Sequence, residues 1–356
     1  MTEFDPSQQR VLALDPSRHA RVLGAPGSGK SLLVVEAFAR FAELPGFADE
    51  QLLVLAPGRL VASRLRAALE ARLGRAVGGT PVRTPASLAF AVLAREFAAA
   101  GRPSPRLLTG TVHDEAIARA VERAGSGDES ERLLAAFSPE VLASERFRAE
   151  LREFWRVLDD FDLSPEAARS VFEAARDRGA REARTRIPDP ESLERWLAVL
   201  GLVGEVQVEL GRERPEEFAS SGLLRAAAGT LREGSEHTAP VPRLILIDDA
   251  QELGEGELAL LAACAQRGSR IWAFGDPDLA AGAFHGERAA LLSRLGDELA
   301  RRGARPLPGE IEQSAVLDTV HRHGSALRTL VGGLTQRIGA AGAGQQRAAP
   351  AAEERD

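Results

Sequence analysis

Ala20-Arg21-Val22-Leu23-Gly24-Ala25-Pro26-Gly27-Ser28-Gly29-Lys30-Ser31 is the stretch that decides the fold. Ala20 to Gly24 read as a short buried strand, and the run from Ser31 to Leu44 has the apolar spacing of an amphipathic helix. Between them, Gly24 to Ser31 satisfies GxxxxGK[ST], a loop whose backbone N–H groups and following helix N-terminus face an anion. Gly24, Ala25, Pro26, Gly27, Ser28 and Gly29 form the cradle, with the glycines letting the backbone curl close to phosphate. Lys30 would reach the terminal phosphates, and the Ser31 hydroxyl would hold Mg²⁺. Lys30 is also the only lysine, every other one of the 45 basic residues being arginine. A chain that otherwise uses the planar guanidinium keeps the compact ammonium where a point charge is needed.

Working outward, strand-like apolar runs recur at residues 51–56, 81–84, 244–247 and 270–274, with helical patterns between most of them. Strands alternating with helices predict a parallel sheet that binds ligands at the carboxyl ends of its strands. From about Ser104 to Ala239 helical segments follow one another without a convincing strand, which predicts an inserted helical domain. The expected division is a first motor part over 1–103, a helical insertion over 104–239, a second motor part over 240–338, and a flexible tail over 339–356 rich in Gly, Ala, Gln and charge.

The 356 residues, 44% hydrophobic, suffice for one large domain or two ordinary ones. The N-terminus lacks the basic and apolar regions of a signal peptide, and no apolar run approaches a membrane span, so a cytoplasmic protein without a membrane partner is expected. Cys264 is the single cysteine, which excludes disulfides and cysteine-built metal clusters within the chain. The net charge of −7 is uneven: residues 1–103 carry +4, residues 104–239 −8 and residues 240–356 −3. Across residues 59–83, Arg59, Arg64, Arg66, Arg72, Arg75 and Arg83 face one acid, Glu70, which marks either a DNA-facing strip or a solvated helix face.

Leu244-Ile245-Leu246-Ile247 ends in Asp248-Asp249-Ala250-Gln251, an apolar strand delivering two carboxylates. Asp248 is placed to hold Mg²⁺ through water, and Asp249 to orient or deprotonate an attacking water. The plain alternative is a helix N-cap after a strand. The spacing from Lys30 to Asp248 is too long for a compact nucleotide kinase and suits a motor with an inserted domain.

In this order the motifs resemble the front half of a UvrD/Rep-like superfamily 1 DNA helicase, closest to the AdnA-type helicase-nuclease subunits. Phe4 to Arg10 resembles the Q motif, in which Gln8 would read adenine. Leu53 to Arg59 and Val82 to Phe90 resemble motifs Ia and Ib, so Arg59, Arg83, Thr84 and Ser87 would contact single-stranded DNA. Asp248 to Gln251 is similar to motif II, and Phe274-Gly275-Asp276-Pro277-Asp278 opens a motif III. Leu317 to Arg322 resembles motif IV, with His321 stacking on adenine and Arg322 meeting the γ-phosphate.

The resemblance implies a RecA-like P-loop NTPase domain and a 3′-to-5′ ATP-dependent helicase or translocase in DNA repair or recombination. It further implies ATP and Mg²⁺ as cofactors, single-stranded DNA as partner and a second helicase-nuclease subunit. Among the nucleotide-site residues, Lys30, Asp249 and Arg322 would carry the catalysis. Three features depart from the family pattern. Asp249 stands where motif II has glutamate, and Leu279, Gly282 and Phe284-His285-Gly286 replace the polar and aromatic continuation of motif III. Motifs V and VI have no counterpart after Arg322, which implies an N-terminal portion that does not unwind DNA alone. The alternative is a non-catalytic ATP- or DNA-binding scaffold supporting an active partner.

Overall fold

The computed structural model describes residues 3–45, 47–123, 128–179, 189–234, 238, 240–279, 292, 294–304, 313–335, 337 and 344–352. The chain forms two compact units, one of residues 1–96 with 227–356 and one of residues 97–226.

The first unit is built on a parallel six-stranded sheet in the order β3-β2-β6-β7-β1-β8. Its strands are β1 (Ala20–Leu23), β2 (Leu52–Leu55), β3 (Val82–Arg83), β6 (Leu244–Ile247), β7 (Arg270–Gly275) and β8 (Gln313–Val316). The central strands are buried on both faces because helices cover both, so β2 (LLVL) and β6 (LILI) read as continuous apolar runs rather than alternations. On one face, Val22, Val54, Leu246 and Phe274 pack under α2 (Lys30–Ala42) with Leu33, Phe38 and Phe41. Trp272 meets Phe41 edge-on at 5.1 Å, and its indole N–H donates to the Arg18 carbonyl at 2.9 Å, so this large ring is buried without an orphaned donor. Helix α1 (Pro6–Leu12), α3 (Arg59–Leu73) and α12 (Glu255–Gln266) complete the elements used below. Cys264 in α12 is fully buried and its thiol is pushed up to about 12 by that burial, which makes it inert core.

The α/β parallel fold expected from the sequence is the one observed, with a strand added. β8 has no apolar alternation (QSAV) and only partial burial, yet it pairs with β1 from Ala20↔Gln313 to Leu23↔Val316 and forms the sheet edge.

The second unit is helical, from α5 (Gly110–Arg123) through α6 (Asp128–Ala136), α7 (Pro139–Ala143), α8 (Glu145–Asp160) and α9 (Pro165–Gly179) to α10 (Pro190–Glu213). Ile117, Leu151, Trp155, Leu158, Leu200, Val203 and Val206 form its core. Serine and aspartate caps start the helices: Ser138, Ser144 and Asp189 each accept from a backbone N–H one turn on. The all-helical expectation needs one correction, since β4 (Arg106–Leu107) pairs in parallel with β5 (Glu217–Phe218). Two residues per strand leave no period to read. The compact-unit boundaries also differ from 104 and 239, because they fall inside continuous helices, α4 (Pro85–Ala99) and α11 (Ser220–Glu233), where composition does not change.

Of the expected flexible tail, residues 339–343 and 353–356 lie outside the described residues, and residues 344–352 are packed rather than free. Residues Gln345–Ala348 form a 3-10 turn in which Gln346 is 1% exposed, and Ala349 packs with Ala25 and Val320. Alanine-rich composition suits close backbone packing as well as it suits a linker, and the anchoring partners lie far away in sequence. No helix among the described residues is long and apolar enough to cross a membrane.

Candidate functional site

The phosphate-binding loop closes where β1 ends. Gly27 and Gly29 adopt φ of +83° and +91°, a left-handed backbone that side-chain-bearing residues rarely hold. At Gly29 an added Cβ would also lie 2.7 Å from Gln8 Nε2, and at Gly27 2.8 Å from the Arg322 Cβ. Gly27 therefore excludes a side chain on two grounds, and Gly29 chiefly by its backbone, since the Gln8 amide end could shift. Gly29 caps α2, whose first residue is Lys30. Only 8% of Lys30 is exposed, and its Nζ donates to the carbonyls of Gly24 at 2.7 Å and Ala25 at 3.1 Å. Burial lowers its pKa, opposed by the charges of Asp276, Asp249 and Asp248 in that order and reinforced by Arg322. An ammonium so held is ready to meet an anion entering the loop.

From β6, separated from β1 by β7, Asp248 is delivered to the same place. Its N–H donates to the Leu55 carbonyl at 3.0 Å, and its carboxylate accepts from Ser31 Oγ at 2.8 and 3.1 Å. Buried at 2% exposure, with Asp249 as a like charge beside it, the Asp248 carboxyl is pushed up to about 6. A desolvated carboxylate sharing a hydroxyl is the donor set a hard divalent cation takes. Mg²⁺ binds through one or two protein oxygens and keeps its remaining positions for water and phosphate. Among the described residues no group of three His, Cys, Asp or Glu is placed to hold a metal ion. Ser31 and Asp248 are the residues that would hold it.

Asp249 takes φ 50° and ψ 48°, one of two non-glycine residues in the left-handed region among those described. Its Oδ1 accepts from Gln251 Nε2 at 3.2 Å, while Gln251 Oε1 accepts from the Asp276 N–H at 3.1 Å. Gln251 thus links the loop after β6 to the loop after β7. A cavity of about 930 Å³ opens beside these groups, lined among others by Phe4, Ser31, Arg64, Asp248, Asp249 and Arg322. This is ample for a nucleotide-sized ligand. A cavity lined by both carboxylates and arginines suits a ligand carrying both a metal and phosphates.

Two residues expected at the adenine edge are engaged within the protein. Gln8 donates from Nε2 to the Ser28 carbonyl at 3.2 Å and accepts at Oε1 from the Asp5 N–H, closing the α1 capping box. His321 Nε2 sits 2.7 Å from Asp5 Oδ2, and the backbone N–H groups of His321 and Arg322 both donate to the Gly27 carbonyl. The segment bearing His321 and Arg322 is thereby clipped onto the phosphate-binding loop. Leu279 is exposed, whereas Gly282 and Phe284 to Gly286 lie outside the described residues.

The residues expected to face DNA sit at the carboxyl ends of the adjacent strands β2 and β3. Arg59 is exposed at the start of α3, and Arg83 is half-buried, its pKa lowered by burial and by the charge of Arg66. Thr84 Oγ1 accepts from the N–H of exposed Ser87, so that Thr84 caps α4. The arginine strip divides: Arg72 pairs with Glu36, Arg75 pairs with Asp49, and Arg66 donates to the Val82 carbonyl.

Sequence reading placed Asp276 only within the motif III stretch and gave Gln346 and Arg347 no role, yet Asp276 acts on Lys30 by charge and Gln346 bonds Asp276. Asp276 is 2% exposed with its pKa raised by burial, and Gln346 Nε2 donates to its Oδ1 at 3.3 Å. Asp276 had a signal, a carboxylate following an apolar strand as at Asp248. Gln346 had none. No curated protein matches the chain, while the family model described as UvrD/REP helicase N-terminal domain matches residues 4–298. With the phosphate-binding loop, the paired serine and aspartate and the parallel sheet in place, the chain belongs to the UvrD/REP helicase family and carries its N-terminal, ATP-dependent motor domain.

Proposed function

We propose that this motor domain binds ATP with Mg²⁺ in the cavity beside Lys30 and serves a DNA translocase or helicase of 3′-to-5′ polarity in repair or recombination. The observation carrying the reading is that Ser31, Asp248, Asp249 and Arg322 line one cavity, while the charges of Asp248, Asp249 and Arg322 act on the buried Lys30 next to Ser31. Residues Gly24 to Ser31 bind the phosphates through backbone N–H groups and the Lys30 ammonium, and Ser31 with Asp248 holds the metal. When bound, the metal neutralises phosphate charge and orients the terminal phosphoryl group. Asp249 orients the attacking water and accepts its proton, while Arg322 offers positive charge to the departing phosphate. Gln8 and His321 form the adenine side. Arg59, Arg83, Thr84 and Ser87 take single-stranded DNA at the ends of β2 and β3, with a second helicase-nuclease subunit of AdnA type as partner and the cytoplasm as location.

A second reading, a scaffold that binds ATP without hydrolysing it, is favoured by one observation. Asp249 is a residue with a short side chain whose Oδ1 is already taken by Gln251. A single experiment addresses both. Lys30→Ala removes a charge-assisted contact of about 1.5–3 kcal/mol, so ATP affinity should fall about ten- to a hundredfold by calorimetric titration. Equal affinities would overturn the nucleotide assignment. Lys30-dependent binding without measurable turnover, even with DNA and a second motor domain supplied, would select the scaffold.

A further inference from the structure

A segment near the end of the chain is built into the nucleotide site. Arg328, in the helix Ser325–Thr335, is 7% exposed and gives its guanidinium to backbone carbonyls of that segment, those of Ala349 at 2.7 Å, Arg347 at 2.8 Å and Gln346 at 3.4 Å. Val320, two residues before Arg322, pairs with Ala351, its N–H donating to the Pro350 carbonyl and its own carbonyl accepting from the Ala352 N–H. Arg347 forks onto Asp278, with Nε 2.7 Å from Oδ2. Residues 344–352 therefore form a strap tied to three places: the helix Ser325–Thr335, the Arg322 segment and the loop after β7.

At the centre of the strap, the Gln346 amide nitrogen donates to Asp276 Oδ1 at 3.3 Å and to Asp278 Oδ2 at 3.2 Å. Its oxygen is buried without a hydrogen-bond partner in the structure. A buried amide that leaves its acceptor unmet is costly, so the donor end is what the position uses. Asp276 accepts a second bond at Oδ1 from the Asp278 N–H at 3.0 Å. Among the carboxylates around Lys30, Asp276 exerts the largest charge effect, yet the lysine nitrogen bonds loop carbonyls and forms no ion pair within 4 Å of Asp276. The two charges attract, while each is hydrogen-bonded to other partners.

We propose that Gln346 is a positioning residue that restrains the Asp276 carboxylate and keeps it from capturing the Lys30 ammonium needed by the nucleotide phosphates. Released from Gln346, Asp276 turns toward Lys30 and competes as an internal anion for the same charge. The strap acts through Asp276 and does not itself touch the phosphates. This inference rests on the reading of the loop as the ATP site, and the experiment separates the two.

The test is a binding titration of the full 356-residue chain with a fluorescent ATP analogue and Mg²⁺, using Gln346→Met, Asp276→Asn and the double variant. Methionine keeps the volume and removes the donor. Gln346→Met should weaken binding about three- to tenfold in the wild-type background and change nothing in the Asp276→Asn background, where no competing carboxylate remains. Asp276→Asn alone should bind as tightly as wild type or more tightly. An equal loss in both backgrounds would show the strap to be merely structural, and no loss in the wild-type background would remove Gln346 from the site. A large loss from Asp276→Asn alone would give Asp276 a direct role and overturn the restraint; this arm stands even where Gln346→Met fails to fold. If Lys30→Ala and wild type bind alike, the ATP reading itself fails, which is a different outcome from Lys30-dependent binding that ignores Gln346.

Discussion

The two compact units bury polar side chains in opposite ways. In the sheet unit, Ser28, Lys30, Asp248, Gln251, Asp276 and Gln346 are all buried, and they gather in the loops that follow β1, β6 and β7 and in the strap laid over them. In the helical unit, His113, Asp159 and Ser221 are buried within a leucine-rich core, Asp159 meeting Ser221 at 3.2 Å and Arg225 at 3.4 Å, and His113 lying against the Trp155 ring at 4.5 Å. Convergence at strand ends brings buried charges of both signs within electrostatic reach of one another, with Asp248 also lining the cavity. Buried polar groups among helices are instead absorbed by packing. The comparison teaches that the sheet unit gathers a set of buried polar groups at its strand ends, whereas those of the helical unit lie against partners within its core.

The largest effect that would sharpen this contrast is expected at Asp248. Its carboxyl titrates near 6 when folded against 3.8 unfolded, so the ionised folded form is disfavoured, and stability is lost as pH rises through that window. Asp248→Asn should therefore raise folding stability by about 1–3 kcal/mol at neutral pH and abolish the Mg²⁺ dependence of nucleotide binding. Calorimetric melting and nucleotide titrations with and without Mg²⁺ check both halves; a destabilised variant with intact Mg²⁺ dependence would break the comparison.

His113 should behave in the reverse manner. Burial, with a lesser push from Arg152 against the pull of Asp114, holds its pKa at about 4, below the 6.5 of an unfolded chain. The unfolded state thus takes the proton first, and the contribution present above pH 6.5 is lost as pH falls toward 4, by at most about 3 kcal/mol. Denaturant melts of wild type and His113→Gln at pH 7.5 and 4.5 should show the acid loss reduced in the variant, with nucleotide affinity unchanged at neutral pH. An unchanged pH slope would remove His113 as its source.

The smallest effects belong to the exposed edge of the sheet unit. Arg59→Ala and Arg83→Ala should each weaken oligonucleotide binding and reduce its salt dependence by about one phosphate, without altering stability measurably. Fluorescence anisotropy across a salt series gives the slope. Were neither slope to move, the carboxyl ends of β2 and β3 would be surface rather than a DNA path.

What the amino-acid sequence determined by itself was local: the loop from Gly24 to Ser31, the apolar strands β1, β2, β6 and β7, and the acids Asp248 and Asp249 at a strand end. Glycines that must take positive φ and strands buried on both faces leave their mark within a dozen residues, so these features are legible without neighbours. The tertiary structure alone decided the rest. β8 is a strand because β1 offers it an edge, and nothing in Gln313 to Val316 announces it. The engagement of Gln8 with Ser28 and of His321 with Asp5 depends on chain segments that meet only after folding. The tail became a strap for the same reason: Gln346 finds Asp276 across 70 residues, and a hydrogen bond between positions so distant has no period or composition from which it could be read.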